Sequence, residues 1–377
     1  MTHFSFARFV AVMVKEFIQM RRDRLTFAMM VGVPVLQLVL FGFAINSDPK
    51  SLPTAVHAAD SSPFARTLVS AMANSGYFDV TRAAGSPAEL DRLLAEGRVQ
   101  FAVTIPAGFS RDLQRGERPV LLVEADATDP AATSNALAAL STLARQALDP
   151  DLTGPLASLR STPDPVELRV HRRYNPEGIT QYNVVPGLMG VVLTMTMVMM
   201  TALAVTRERE RGTMENLLAM PVRPFEVMLG KIVPFILVGY IQVVIIVLAA
   251  RLLFGVPIVG SLALLSAVLV LFIAANLAVG FTFSTVAKNQ LQAMQMSFFF
   301  FLPSMLLSGF MFPFRGMPGW AQAVGEVLPL THFLRIVRGI LLKGNGPAEI
   351  AGEVAALLIF LAVVTVVALK RYRQTLD

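Results

Sequence analysis

The sequence predicts an α-helical polytopic membrane protein with six transmembrane helices and an inserted soluble α/β extracytoplasmic domain. Of its 377 residues, 54% are hydrophobic and only 15% are charged, against roughly 25% in a typical soluble protein. Several apolar runs have the roughly 20 residues that a helix needs to cross a bilayer. Between the first two of these runs, residues 47–178 contain only short apolar runs, which is the pattern of a soluble domain.

The N-terminal segment is predicted to lie on the cytoplasmic membrane surface. Residues 1–24 combine spaced apolar side chains with a basic end, which is typical of an interfacial amphipathic helix. The first transmembrane helix follows within residues 25–46, as Leu25–Ile45. A cleaved signal peptide is the alternative, because it also combines a basic flank with an apolar run. The length of both parts and the absence of a clear cleavage site argue against it.

Residues 47–178 are predicted to form the extracytoplasmic α/β domain, a sheet covered by helices. The predicted strands are Thr54–Ala59, Tyr77–Arg82, Val99–Ile105, Val120–Glu124 and Val166–Val170. The predicted helices are Phe64–Ala73, Pro87–Ala95, Phe109–Gln114 and Ala131–Leu148. Asp60-Ser61-Ser62, after the first strand, is interpreted as a helix cap in preference to a binding site. The carboxylates of this domain are scattered and form no catalytic pattern.

Residues 179–377 are predicted to form a five-helix transmembrane region. The predicted spans are Val184–Thr206, Ile232–Phe254, Ile258–Phe283, Ser297–Phe312 and Ile350–Leu369. Before the last span, residues 313–346 are half apolar but broken by prolines and glycines. We therefore expect an outer-leaflet segment of short helices there, with Trp320 as an interfacial anchor.

A cytoplasmic coupling loop, residues 207–231, separates two of these spans. Its five Lys and Arg residues place it in the cytoplasm by the positive-inside bias, together with both termini. The predicted cytoplasmic segments carry 14 Lys and Arg against 7 Asp and Glu, whereas residues 47–178 carry 13 against 16. The net charge of +6 therefore reflects the excess of basic residues in the predicted cytoplasmic segments. No nucleic-acid partner is expected.

Part of the coupling loop is predicted to contact another protein. This docking segment consists of Glu208, Glu210, Gly212, Thr213, Met214, Glu215, Leu217 and Leu218. Gly212 can end one helix, and Thr213 can cap the next. The Met and Leu side chains then share one helix face, which suits a groove on a soluble partner. An interfacial anchor with a belt of charged side chains is the alternative.

Few polar residues occur in the predicted spans, and in most cases such residues are helix-packing contacts. If a translocation path runs through these spans, the polar residues predicted to line it are Thr194, Thr201, Gln242, Asn276 and Ser304. The sequence contains no cysteine, and its four histidines show no metal-ligand spacing. It also lacks a G-x-x-x-x-G-K-[ST] loop, since Gly230-Lys231 is followed by Ile232. No cofactor is therefore expected in this chain.

The chain resembles, over nearly its whole length, the membrane subunit of ABC-2-type exporters, in the subfamily with a large external domain between the first two spans. The matching residues are Glu208–Glu215, Leu217, Pro221, Gly230-Lys231, Pro329, Arg335, Arg338, and Asp60-Ser61 with Arg66. The resemblance implies a multi-pass permease of the bacterial inner membrane that works with a second permease copy or a sister permease. It also implies a separate ABC ATPase subunit that binds MgATP and contacts the docking segment.

Relatives in that family export drugs, lipids or polysaccharides, and many bacterial members act with a periplasmic adaptor protein. The resemblance thus implies export of an apolar or amphipathic substrate, drug-like or lipid-like, from the cytoplasm or the inner leaflet, with membrane lipids as further partners. The alternative is a non-transporting scaffold or receptor whose external domain binds a partner. A receptor needs only one or two spans, so the six predicted here favour transport.

The clustering of basic residues generates a topology prediction. Reporter fusions after Asp60 and Pro150 are expected to report the outside, and fusions after Met220 and Arg373 the cytoplasm. Paired reporters that are active on opposite sides of the membrane measure this. An outside signal from the Met220 fusion would contradict the whole arrangement.

The absence of a nucleotide-binding loop generates a second prediction. The purified chain alone is expected to hydrolyse no ATP. Phosphate release from a homogeneous preparation measures it, with the preparation containing the partner ATPase as positive control. Robust hydrolysis without a partner would be incompatible with the prediction.

Overall fold

A computed structural model describes residues 49–161, 164–210 and 224–371. The predicted interfacial helix (1–24), the predicted first span (25–46) and all of the docking segment after Glu210 lie outside the described residues. The interfacial helix, the first span and the rest of the docking segment stay predictions.

The first part of the described chain forms a five-stranded sheet in the order β2-β1-β3-β4-β5. Its strands are β1 (Leu52–Ala58), β2 (Phe78–Ala83), β3 (Phe101–Ile105), β4 (Val120–Asp126) and β5 (Glu167–Arg173). Only the β3–β4 pair is antiparallel among these neighbours. The carboxyl ends of β4 and β5 therefore lie at the opposite edge of the sheet from those of the other three strands.

Four α-helices pack on this sheet: α1 (Pro63–Asn74), α2 (Pro87–Ala95), α3 (Phe109–Gln114) and α4 (Pro130–Gln146). Three of them begin with proline, preceded by a residue whose side chain accepts a backbone N–H of the first turn. Alternate residues of the central strands contribute to two separate apolar clusters, one with α1, α3 and α4 and one with α2. A 3₁₀ helix, Gly154–Ser161, occupies part of the following connection.

Asp60 and Ser62 hold the loop after β1, and the capping interpretation is confirmed. The Ser62 hydroxyl accepts a hydrogen bond from the Ala65 N–H and so caps α1. The Asp60 carboxylate accepts the N–H groups of Ser110 and Ser62, each at 2.8 Å. The Ser110 N–H is the largest cause of the lowered pKa of Asp60, since it favours the charged carboxylate.

The rest of the described chain is helical. Its α-helices are α5 (Thr180–Glu210), α6 (Pro224–Leu252), α7 (Leu262–Val286), α8 (Gln290–Leu307), α9 (Gly319–Val327), α10 (Pro329–Arg338) and α11 (Pro347–Arg371). A 3₁₀ turn (Phe314–Gly316) precedes α9, and a π-turn (Gly339–Lys343) follows α10. The expected short helices of residues 313–346 are therefore present.

Four helices of the described part are long and apolar enough to cross a membrane, over Thr180–Arg207, Phe235–Leu252, Leu262–Val286 and Pro347–Arg371. They correspond to the second, third, fourth and sixth predicted spans. The helix at the predicted fifth span differs from Ser297–Phe312, because α8 begins at Gln290 and ends at Leu307. The Asn289 side chain caps it early, and Gly309, at φ +84°, turns the chain after its end.

The centre of the helical region is closely packed. A Cβ at Gly280 of α7 would lie 2.4 Å from the Val198 carbonyl oxygen of α5, so only glycine permits this approach. Phe272 of α7 stacks on Phe333 of α10 with ring centroids 4.0 Å apart. In contrast, α6 and α11 present exposed apolar side chains: Leu237, Ile241, Val244, Ile245, Leu248, Leu358, Ile359, Val363, Val366 and Val367.

Candidate functional site: a charged cavity beside the sheet

The structure describes only the start of the docking segment, as far as Glu210 at the end of α5. The Glu210 carboxylate accepts hydrogen bonds from the backbone N–H (2.8 Å) and the side-chain amide (2.5 Å) of Gln290. The side-chain bond is the main cause of the lowered pKa of Glu210. The end of α5 is thus joined to the start of α8. Residues 211–218 lie outside the described part.

The residues predicted to line a path are mostly buried helix contacts. Thr194, Thr201, Asn276 and Ser304 are fully buried. The Ser304 hydroxyl donates to the Phe300 carbonyl at 2.8 Å. Gln242 is only half-buried and accepts a hydrogen bond from Thr196. Whether these residues contact a substrate stays a prediction.

A cavity of about 190 Å³ lies between the sheet and the helical region. We call it the junction cavity. Its charged lining residues are Glu96, Asp126, Asp129, Arg315, Arg335, Arg338, Lys343, Glu349 and Glu353. They come from the ends of α2 and β4, from the segment after α8, and from α10 to α11. Drug-sized ligands occupy pockets of about 300–1,000 Å³, so this cavity suits a small polar group.

A buried ion pair joins the two walls of the junction cavity. Lys343 Nζ lies 2.5 Å from Asp126 Oδ2, and both side chains are less than a tenth exposed, at 8% and 9%. The ammonium also donates to the Leu94 carbonyl at 3.1 Å. Nearby, the Asn345 amide donates to the Ala95 carbonyl at 3.0 Å. The turn before α11 is thereby bonded to β4 and to the end of α2.

A second cluster of charges is centred on His332 in α10. Its Nδ1 lies 2.5 Å from Glu353 Oε2, and its Nε2 lies 2.8 Å from the Glu326 carbonyl oxygen. Only the charged imidazolium can donate from both nitrogens. Burial by itself lowers the pKa of His332, but these bonds outweigh it and raise the net pKa. Arg335 bridges the carboxylates of Glu326 and Glu353.

Arg338, one turn further along α10, has no such partner. Both terminal nitrogens of its guanidinium donate to the Gly309 carbonyl at 3.2 Å. Its Nε is sealed from solvent and has no hydrogen-bond partner among the described residues. Burial lowers the pKa of Arg338, whereas the charge of Asp129 raises it. Burial likewise raises the pKa of Asp129, against the pull of Arg338. The two charges interact but do not form an ion pair.

Sequence reasoning identified only part of this site. Arg335 and Arg338 stood out through the resemblance, whereas the acidic residues, His332 and Lys343 did not. Lys343 and Asp126 are 217 positions apart, so no local pattern connects them. One signal was present in Glu353, a carboxylate inside the apolar run Ile350–Leu369. An ionisable residue in such a run marks a functional site by default.

Comparison with known proteins places the chain among transporters. The sequence profile of the family described as "ABC-2 family transporter protein" matches residues 24–370. The chain is 29% identical over 362 residues to a protein of Escherichia coli (strain K12) named "Probable multidrug ABC transporter permease YbhS", covering 94% of this chain and 93% of that one. It is also 29% identical over 361 residues to "Inner membrane transport permease YhhJ" of the same strain, covering 91% and 93%.

Among solved structures, a domain of a putative ABC type-2 transporter from Thermotoga maritima MSB8 is similar to part of the chain. It is 21% identical, with a TM-score of 0.28, and the match covers 32% of this chain and 84% of that one.

The buried pair of Lys343 and Asp126 generates a stability prediction. Replacing Lys343 with Met leaves the Asp126 carboxylate without its cation, which costs about 3–5 kcal/mol in a well-buried pair. We expect a clearly lowered midpoint of thermal unfolding in detergent, and partial recovery when Asp126→Asn is added.

Arg169→Met is the matched control, because Arg169 pairs with Glu167 at 2.7 Å on the exposed face of β5. Such exposed pairs contribute only about 0–1 kcal/mol. Equal midpoints for Lys343→Met and Arg169→Met would show that the pair does not hold the junction.

Proposed function

The chain belongs to the ABC-2 transporter family, and from that premise we propose that it is the membrane-spanning permease subunit of an ATP-driven exporter. A separate ABC ATPase binds and hydrolyses MgATP, and this chain forms the route across the membrane. The observation that carries the proposal is the family match over residues 24–370, which includes four helices suited to cross a membrane.

The proposed cargo is an apolar or amphipathic compound, drug-like or lipid-like, moved out of the cytoplasm or the inner leaflet. Support comes from the relatives that carry the word multidrug in their names. The junction cavity is too small for a drug-sized molecule. The route is therefore proposed to form between subunits, along helices whose apolar faces are exposed in a single chain.

We propose that two permeases assemble, either two copies or this chain with a sister permease. The apolar faces of α6 and α11 supply surface for such a contact and for membrane lipids. The basic clusters support a multi-pass topology in the inner membrane with six spans and both termini in the cytoplasm. The sheet then lies outside, where a periplasmic adaptor protein is a candidate partner.

The proposed energy transfer uses the docking segment and α5. Glu210, at the end of α5, is bonded to Gln290 of α8. At the other end of α5, the Asn183 amide donates to Asp129 at 3.3 Å, beside the junction cavity. A displacement of the docking segment by the ATPase would therefore reach two helices at once and, through α5, the sheet.

The docking proposal is tested by replacing Leu217 with Asp, which puts an unpaired carboxylate into a desolvated contact. Central interface anchors commonly contribute about 2 kcal/mol or more, so docking is expected to weaken roughly thirtyfold or more. Co-purification of the ATPase and transport of a dye, at matched membrane levels, are the measurements.

Two controls accompany this experiment. Leu217→Met keeps an apolar side chain and is expected to retain docking. Glu208→Gln removes a charge whose pairing at helical i,i+3 spacing would contribute only about 0.2–0.5 kcal/mol, so a small effect is expected. If Leu217→Asp retains both the ATPase and transport, the segment does not couple, and the interfacial-anchor alternative is correct.

A further inference from the structure

Most charges around the junction cavity have a partner. Lys343 is paired with Asp126, and Arg335 and His332 are paired with the carboxylates of Glu326 and Glu353. The remaining lining carboxylates of Glu96 and Glu349 are also engaged. Glu96 pairs with arginines of the sheet region, and Glu349 accepts the Gly346 N–H in the first turn of α11.

Four charged side chains of the cavity have no ion pair among the described residues: Arg315, Arg338, Asp129 and Glu349. Asp129 is the N-cap of α4 and accepts the Ala131 N–H and the Asn183 amide. Its charge is thus partly compensated by a helix N-terminus. Glu349 likewise lies in the first turn of α11, so a helix N-terminus compensates part of its charge as well. Within the described ranges, the guanidinium groups of Arg315 and Arg338 have no carboxylate in an ion pair and no such compensation.

The two arginines differ in a way that suits a binding site. Arg338 is held in place by the Gly309 carbonyl, and its Nε has no hydrogen-bond partner in the described part of the chain. Removing a guanidinium from water costs free energy unless an anion and hydrogen-bond acceptors compensate its charge. Arg315 is exposed and lines the same cavity, so it can meet a ligand as the ligand enters.

We propose that the junction cavity binds one phosphate-type anion through Arg338 and Arg315. The planar fork of arginine matches phosphate oxygens in a bidentate manner. The volume of about 190 Å³ corresponds to about six water molecules, enough for a phosphate group with a few waters. The proposal does not depend on transport, because binding can be measured on the purified chain without the ATPase.

Two sources supply this chemistry: inorganic phosphate in solution and the head group of a membrane phospholipid. The cavity is also lined by Phe314, Ile336 and Ile350, so a head group could enter with its acyl chains left outside. The test therefore has two arms. The first measures the affinity of delipidated full-length protein in detergent for inorganic phosphate by calorimetry. The second counts phospholipid retained per chain, by native mass spectrometry, after purification from membranes.

We expect saturable binding of phosphate, retention of about one phospholipid per chain, or both. Either signal is expected to fall about tenfold or more in Arg338→Gln and Arg315→Gln, because a hydrogen bond between charged groups is lost. Phosphate binding without retained lipid assigns the site to the free anion. Retained lipid that both variants lose assigns it to the head group.

Arg169→Gln is the control, because this exposed arginine on β5 removes the same charge away from the cavity. Should Arg338→Gln fold poorly, the exposed Arg315 still provides a variant that keeps the core. The proposal is overturned if neither phosphate nor phospholipid binds. It is equally overturned if Arg315→Gln and Arg169→Gln bind as the unaltered protein does.

Discussion

A charge taken out of water must find a partner, and the junction between the sheet and the helices is organised by that requirement. Lys343 and Asp126 satisfy each other across it, and His332, Arg335 and Glu353 form a closed set on the helical side. Removing one member of a buried pair costs several kcal/mol. These contacts join the sheet to α10 and α11, and Arg338 differs from the other charges there because its guanidinium has no ion pair among the described residues.

Local patterns predicted the elements of the sheet region well. The bounds of α2 and α3 coincide with those predicted, because a capping serine and proline mark the start of α2, and a short apolar repeat marks α3. The start of α8 was wrong because the cap at Asn289 was not recognised. The junction cavity could not be predicted, because β4, α10 and α11 meet there through long-range contacts. Six spans remain a proposal, since four are supported by the described helices.

The polar residues of the helices divide into two groups. Thr206 and Ser304 donate to carbonyls one turn earlier, as expected of helix-packing residues. Thr194 Oγ1, Thr201 Oγ1 and Asn276 Oδ1 are buried without a hydrogen-bond partner among the described residues. An unpaired buried polar atom costs about 1–3 kcal/mol. Packing alone does not explain that cost, and these three side chains of α5 and α7 are fully buried, away from the exposed apolar faces of α6 and α11.

The length and contacts of α5 constrain how movement can spread. Its 31 residues extend about 46 Å, from Thr180 to Glu210 of the docking segment. Near the first end, Asn183 bonds to Asp129 beside the cavity. At Gly280 the backbones of α5 and α7 are too close for any side chain larger than hydrogen. Sliding α5 along α7 would bring side chains into that contact, so the two helices must move together. A displacement of the docking segment would then move α5 and α7 together relative to the sheet. The charged residues of the junction cavity lie between the sheet and the helical region.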